Sequence, residues 1–226
     1  MRIIAGTHRG RPYLPPQDEA TTRPITDRVK EALFNRLQSL GMLDLGDPGT
    51  AERGWAVADV FAGTGSLGLE ALSRGASHCV FVEQDRDAVD RLKQNLDGLG
   101  LADRATVLHS SALVPVWPNR LPSPDRTPLR LAFLDPPYVM LTDTSHPTTG
   151  FDTFAPIFAA LLPRFEPGGL VVLRTPTPGN EHDLPDAPEY PGYDGPASIP
   201  YGGMTLHFYQ TPLTEGDATP EDSDGG

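Results

Sequence analysis

The sequence predicts an α/β fold: a mostly parallel, doubly wound sheet with a small N-terminal extension made of a β-hairpin and a helix. Three observations lead there. From residue 55 onward, short apolar runs alternate with amphipathic stretches, the pattern of βαβ units. The first apolar run flows into a glycine-rich turn and then a helix-forming stretch. The runs are apolar throughout rather than alternating, so both faces of the sheet must be covered.

Each element follows from its residues. Arg2-Ile3-Ile4-Ala5 and Arg11-Pro12-Tyr13-Leu14 flank a turn-prone segment containing Gly6 and Gly10, and read as a short hairpin. A Pro-rich polar stretch, Pro15 to Pro24, follows. A helix then starts with Thr26 as N-cap and Asp27 in its first turn, where a carboxylate meets the positive end of the dipole. Val29, Leu33, Leu37 and Leu40 recur at helical spacing, and Gly41 ends the helix. Trp55 to Phe61 is a buried strand and Leu67 to Ser73 a helix. Cys79 to Val82 is a second strand. Asp87 to Leu99 is a helix with Val89, Leu92, Leu96 and Leu99 inward. Further strands are Ala105 to Leu108, Leu129 to Leu134, Gly169 to Leu173 and Met204 to Tyr209, with a helix from Phe154 to Leu162. Pro115 to Pro128 holds five prolines and reads as irregular; residues 176–200 hold seven and read as a loop. The expected organisation is an extension over residues 1–50, the main domain over 51–212, and an acidic, disordered tail over 213–226.

Composition narrows the function classes. The chain of 226 residues suits one domain and is long enough to bury a proper core. No apolar run approaches the eighteen or so residues of a membrane span, and the N-terminal apolar stretch is too short for a signal peptide. A cytoplasmic protein without membrane partners is expected. Nothing signals an obligate dimer, so a monomer is expected. A single cysteine, Cys79, excludes an internal disulfide and a multi-cysteine cage, and the six histidines show no ligand pairing, so no metal is expected. Cys79 lies inside a strand and reads as a small buried hydrophobe, and Trp117 as local packing. The net charge of −12 is polarised. Residues 181–226 hold ten Asp or Glu and no Lys or Arg, whereas residues 1–36 hold seven basic and four acidic groups. A locally basic front end is the electrostatic footprint of phosphate binding; on charge alone, merely solvated arginines are the favoured reading.

Two motifs carry chemistry. Asp59-Val60-Phe61-Ala62-Gly63-Thr64-Gly65-Ser66-Leu67-Gly68 sits between a strand and a helix, and its glycines satisfy G-x-G-x-x-G. Glu83 ends the next strand, 20 positions after Gly63. In this strand–loop–helix–strand–acid context the loop predicts a nucleotide-type cofactor, with Glu83 accepting from two ribose hydroxyls. The loop suits NAD as readily as S-adenosylmethionine. Asp59 favours the second, because it would attract an ammonium and repel a pyrophosphate; it could equally cap loop amides. The second motif, Asp135-Pro136-Pro137-Tyr138, ends an apolar strand at the carboxyl edge of the sheet. Two prolines make a stiff corner. Such a corner suits methylation of an exocyclic amine, whose lone pair is conjugated with its ring. Asp135 and the Pro136 carbonyl can each accept one N–H and localise that lone pair, while Tyr138 offers a face for an unstacked base. His109, at a strand end, is within the same edge.

The Asp-Pro-Pro-Tyr tetrad after a Phe-Ala-Gly-Thr-Gly loop resembles amino-group nucleic-acid methyltransferases. More narrowly, Arg2-Ile3-Ile4-Ala5-Gly6, Arg9-Gly10-Arg11, Arg23-Pro24-Ile25-Thr26-Asp27-Arg28-Val29-Lys30-Glu31-Ala32-Leu33-Phe34-Asn35 and Leu67-Gly68-Leu69-Glu70-Ala71-Leu72-Ser73-Arg74-Gly75-Ala76 resemble the RsmD type. The resemblance runs from residue 1 to about 140 and resumes weakly at Tyr201-Gly202-Gly203-Met204. It implies a Rossmann-like class I methyltransferase fold using S-adenosylmethionine. The implied activity is methylation of the N2 amino group of a guanine in 16S ribosomal RNA, within the small subunit. It places cofactor contacts on Asp59, Phe61, Gly63, Gly65, Glu83 and Ser111-Ala112. It places catalysis on Asp135, Pro136, Pro137 and Tyr138, and RNA contacts on Arg9, Arg11, Arg23 and Arg28. Methylation of adenine N6 or cytosine N4 in DNA fits the tetrad too, and a non-catalytic RNA-binding protein is a further alternative.

Overall fold

Strand β1 (Ala56–Val60) forms the middle of the molecule: all five of its residues are buried and it has a parallel neighbour on each side. A computed structural model describes residues 1–17, 25–43, 54–114, 117–123, 125, 127–142, 150–177 and 184–213. Arg23 and the acidic tail beyond residue 213 lie outside these. The sheet has seven strands. In spatial order they are β3 (Ala105–His109), β2 (His78–Glu83), β1, β4 (Leu129–Leu134), β5 (Phe165–Pro176), β7 (Met204–Gln210) and β6 (Asp194–Tyr201). The first five are parallel, and β7 runs antiparallel to both β5 and β6. The chain winds outward through β2 and β3, then returns to the other side of β1 at β4. The β1/β4 boundary is therefore the topological switch point, where an open α/β sheet presents a ligand crevice at its carboxyl edge.

Both faces are covered, as the unbroken apolar strands require. Val57, Phe81, Leu131, Phe133 and Val172 pack with helices α1 (Asp27–Ser39), α2 (Ser66–Ser73) and α3 (Arg86–Leu99). Ala58, Val80, Ala132, Leu134 and Leu173 face the other way, toward α5 (Ala155–Leu161), Trp117 and Tyr190; the one-turn α4 (Val139–Thr142) follows β4. Thr26 caps α1, its Oγ1 accepting from Val29 N at 3.4 Å. Asp85 caps α3 in the same way, so the helix starts at Arg86, one residue earlier than predicted.

The extension is part of the main core. Ile3, Tyr13, Ile25, Leu33, Phe34 and Leu37 are buried in the same cluster as Trp55, Leu69 and Phe133. The predicted hairpin is reduced to a single bridge, Arg2–Pro12, flanked by Ile3 N to Arg11 O and Tyr13 N to Met1 O. Pro12 has no N–H with which to lengthen a ladder. A larger correction concerns residues 176–200. They were expected to be a loop, yet Asp194–Tyr201 is a strand. Its Pro196 and Pro200 are tolerated because β6 is an edge strand with one partner. The described part of 115–128 contains only the short 3-10 turn Trp117–Arg120, as its prolines predicted. Among the described residues, no helix is long and apolar enough to cross a membrane, and no group of His, Cys, Asp and Glu could hold a metal ion.

Candidate active site

Register brings the two motifs together. Val60 pairs with Val82 on one side and Leu134 on the other, and Glu83 pairs with His109. Phe61, Glu83, His109 and Asp135 therefore reach the carboxyl edge at one level. Backbone bonds continue the pairing past the strands: Ala62 N to Val82 O at 3.0 Å, Ser110 N to Glu83 O at 2.9 Å, Asp135 N to Val60 O at 3.2 Å.

The glycine loop is held from below and open above. Gly63 and Gly65 adopt φ of 55° and 91°, and a Cβ at Gly63 would meet nothing within 4 Å, so a ligand can approach the backbone there. Gly68 serves packing instead: a Cβ there would strike the Phe81 ring and sit 2.7 Å from Cys79 Sγ. Phe61 has φ 65°, a left-handed conformation strained for an aromatic residue, and packs edge-on against Phe154 at 6.2 Å. Asp59 is fully covered beneath the loop, where its Oδ2 accepts from Gly68 N at 2.8 Å. Burial pushes its carboxyl well above the ordinary range, with Asp135 and Glu83 adding to the rise. The structure thus gives Asp59 the loop-supporting role, one of the two the sequence allowed. Glu83 is half-buried. Its Oε2 accepts from Gly63 N at 2.7 Å and its Oε1 from Gln84 N and Asp85 N, each at 2.8 Å. It tethers the loop and stands at the rim. Ser111 and Ala112 follow β3 at the same edge. The buried Trp117 locks that segment, its indole Nε1 donating to Ala112 O at 2.9 Å, so this ring is packing as expected. His109 Nε2 lies 3.0 Å from Gln84 O and ties the ends of β3 and β2 together.

The Asp-Pro-Pro-Tyr corner stands opposite. Of its two proline carbonyls, Pro137 O is taken by Met140 N at 2.9 Å, while no described residue donates to Pro136 O. Asp135 forms an ion pair through Oδ1 with Arg174. Burial raises the Asp135 carboxyl above its ordinary value and Arg174 opposes the rise. Arg174 also lies over the Tyr138 ring, 5.6 Å from its centroid. The sequence reading missed Arg174, ending its strand at Leu173. The available signal was a lone arginine closing an otherwise apolar strand.

A second group was also missed. Glu70 in α2 is fully buried and accepts from Ile4 N at 2.8 Å, Ala5 N at 3.0 Å and Arg74 Nε at 2.8 Å. Lys30 Nζ lies 3.8 Å from it and bonds Arg2 O and Tyr13 Oη at 3.0 and 3.1 Å. Tyr13 Oη meets Ser66 Oγ, the first residue of α2, at 2.8 Å. Asn95 of α3 joins Leu14 to Thr64 of the glycine loop, donating to both carbonyls. The extension is thereby wired to the loop.

The predicted RNA-contacting arginines do not share one place. Residues 4–8 run along α2 toward Ser73, so Arg9 lies near the end of α2 remote from the glycine loop. Eight helical residues put about 12 Å between those ends. Arg11 caps α3, donating to Leu99 O at 3.1 Å and Gly98 O at 2.6 Å. Arg9 and Arg28 are exposed. Arg28 belongs to the first turn of α1.

Comparison with known proteins agrees with this layout. A family model described as conserved hypothetical protein 95 matches residues 1–147. Ribosomal RNA small subunit methyltransferase D of Haemophilus influenzae is 40% identical over 140 residues, and that of Escherichia coli 39% over 138. Each match covers 61% of this chain, and 64% and 60% of those relatives. The chain thus spans less than two thirds of their length. Among solved structures, the candidate methyltransferase yhhF from Escherichia coli has 29% identity and a TM-score of 0.64, covering 95% of this chain and 99% of that one. A hypothetical protein from Thermus thermophilus has 29% identity and a TM-score of 0.63, covering 92% and 98%.

Proposed function

The chain belongs to the conserved hypothetical protein 95 family, the RsmD type with a class I methyltransferase fold, and on that premise we propose that it transfers a methyl group from S-adenosylmethionine to the N2 amino group of a guanine in small-subunit (16S) ribosomal RNA. The observation that carries this reading is the meeting of the glycine loop and the Asp135 corner at one register level of the switch point. The named relatives supply the substrate class.

The donor's chemistry fits the residues present. The open space at Gly63, just ahead of the N-terminus of α2, suits a carboxylate. Glu83 at the rim suits ribose hydroxyls, and Phe61 and Ser111-Ala112 line the flanks. Asp59 acts through the loop. When bound, S-adenosylmethionine supplies a sulfonium-activated methyl group. The chain's part is to place the amine in line with it. Asp135 Oδ2 and Pro136 O each accept one N–H, and Pro137 keeps the corner stiff. Both acceptors bind more strongly as the nitrogen becomes cationic, which is the differential binding that lowers the barrier. The Tyr138 ring receives the unstacked base, a contact worth roughly 1–3 kcal/mol. Arg28 suits phosphates nearer the pocket, Arg9 and Arg11 phosphates further along the RNA, and Arg23 is kept as an RNA contact on the family resemblance alone. The partner is the rRNA or a small-subunit particle, met by a monomer.

The test supplies labelled S-adenosylmethionine with naked 16S rRNA, small-subunit particles and DNA, then identifies the modified nucleoside by mass spectrometry. N2-methylguanosine is expected, lost by on the order of a hundredfold or more in Asp135→Asn with S-adenosylhomocysteine binding kept. Methylation of DNA adenine N6 or cytosine N4 instead would replace this reading.

A further inference from the structure

The last quarter of the chain reaches the acceptor corner through Arg174. Arg174 belongs to β5, opposite Leu206 of β7, and is 7% exposed. A charge at such a position needs paired partners to offset its desolvation. Among the described groups around it are Asp135 Oδ1, the Tyr138 ring, and Met204 Sδ, which receives its Nη1 at 3.8 Å. Met204 opens β7 directly after the Tyr201-Gly202-Gly203 turn. Gly203 O also accepts from Thr177 N at 3.2 Å, just past the end of β5. The turn is thereby pinned beside the guanidinium. The two residues Arg174 grips at the corner are both among those that the proposed chemistry uses.

Building on the function proposed above, we propose that Arg174 is a positioning residue. It fixes the Asp135 carboxylate through Oδ1 and covers part of the Tyr138 ring. Oδ2 is the acceptor offered to the amine of the base. The C-terminal hairpin seats it through Met204. Arginine suits the task because its planar fork can hold a carboxylate while its face lies on an aromatic ring; a lysine ammonium offers a single point of charge. Among the described residues, the charged groups that interact with Asp135 are Asp59 from β1 and Arg174 from β5. Of these, Arg174 favours the ionised carboxylate against burial. A protonated Asp135 would lose one acceptor site for the amine.

Steady-state methyl transfer to 16S rRNA is measured from pH 5.5 to 9 for the wild type, Arg174→Gln and Arg174→Lys. Calorimetry with S-adenosylhomocysteine runs in parallel. In Arg174→Gln, kcat at neutral pH falls about 10- to 100-fold, the loss of one charge-assisted hydrogen bond. The acid limb of its profile moves to higher pH, while S-adenosylhomocysteine affinity stays within about twofold. Arg174→Lys keeps the charge, so the acid limb stays in place while kcat is reduced. The lysine variant is read in the same assay if the glutamine variant melts early. An active wild type whose Arg174→Gln variant keeps the same kcat and acid limb, or gains activity, overturns the proposal alone. So does an Arg174→Lys variant indistinguishable from wild type. A wild type that methylates no nucleic-acid amine overturns the proposal together with the reading beneath it.

Discussion

Removing the Glu70 carboxylate should destabilise the protein more than any surface change, and the structure sets the size. Glu70 → Ala strands two buried cations: Lys30, 1% exposed, and Arg74, 5% exposed. It also takes the acceptors from Ile4 N and Ala5 N. Breaking a buried pair by removing one partner costs about 3–5 kcal/mol. Lys30 keeps Arg2 O and Tyr13 Oη, and Arg74 keeps the Phe34 ring at 4.7 Å, which holds the loss near the lower bound. About 3 kcal/mol is a large share of the roughly 5–15 kcal/mol a domain possesses. Glu70→Gln offers little relief. Both carboxylate oxygens face donors, so the amide nitrogen must meet a donor whichever way it turns.

Urea unfolding measures the loss, and hydrogen exchange at Ile4 and Ala5 reports where it falls. The expected result is a fall of about 3 kcal/mol, with the protection of those two amides lost first. Adding Lys30→Met to Glu70→Gln removes one stranded charge and should restore about 1 kcal/mol. A Glu70→Ala variant that loses under about 1 kcal/mol and keeps both amides protected would refute the idea that this carboxylate docks the extension.

Two further outcomes follow from the site and the sheet. Glu83→Ala should weaken S-adenosylhomocysteine binding by about 10- to 100-fold in calorimetry, because it removes a charged acceptor and frees Gly63 N from its tether. His207 lies on β7, opposite Leu173 of β5. Burial lowers it to about 4, and its ring spans Thr175 Oγ1 at 2.9 Å and Ser198 Oγ at 2.7 Å. Between that value and the ordinary 6.5, the unfolded chain binds the extra proton. Stability therefore rises with pH through this window and is lost on acidification, by up to about 3 kcal/mol. Urea midpoints at pH 4.5 and 7 should differ less in His207→Gln than in the wild type.

What the sequence revealed and what it hid divide along one physical line. Strands β1 to β4 and helices α1 to α3 were legible because their information is local. An unbroken apolar run, a 3.6-residue period, and a Thr26 cap each sit within one segment. The carboxyl-edge site was legible for the same reason, since the glycine loop and the Asp135 tetrad each occupy consecutive residues. β6 was hidden because its prolines count against a strand unless the strand lies at an edge, and edge position is a property of the whole sheet. Arg174, Glu70, Lys30 and Asn95 were hidden because their meaning is a partner 17 to 81 residues away. A charged side chain inside an apolar segment could still have flagged them. Desolvating a charge costs several kcal/mol, so Glu70 within Leu67-Gly68-Leu69-Glu70-Ala71-Leu72 and Arg174 after Leu170-Val171-Val172-Leu173 each demand a partner the local pattern cannot name. The two answers differ in consequence. Glu70 meets cations and backbone donors remote from the corner, so it ties the extension down. Arg174 meets Asp135 and Tyr138, so the same physical demand places it at the corner that the proposed chemistry uses.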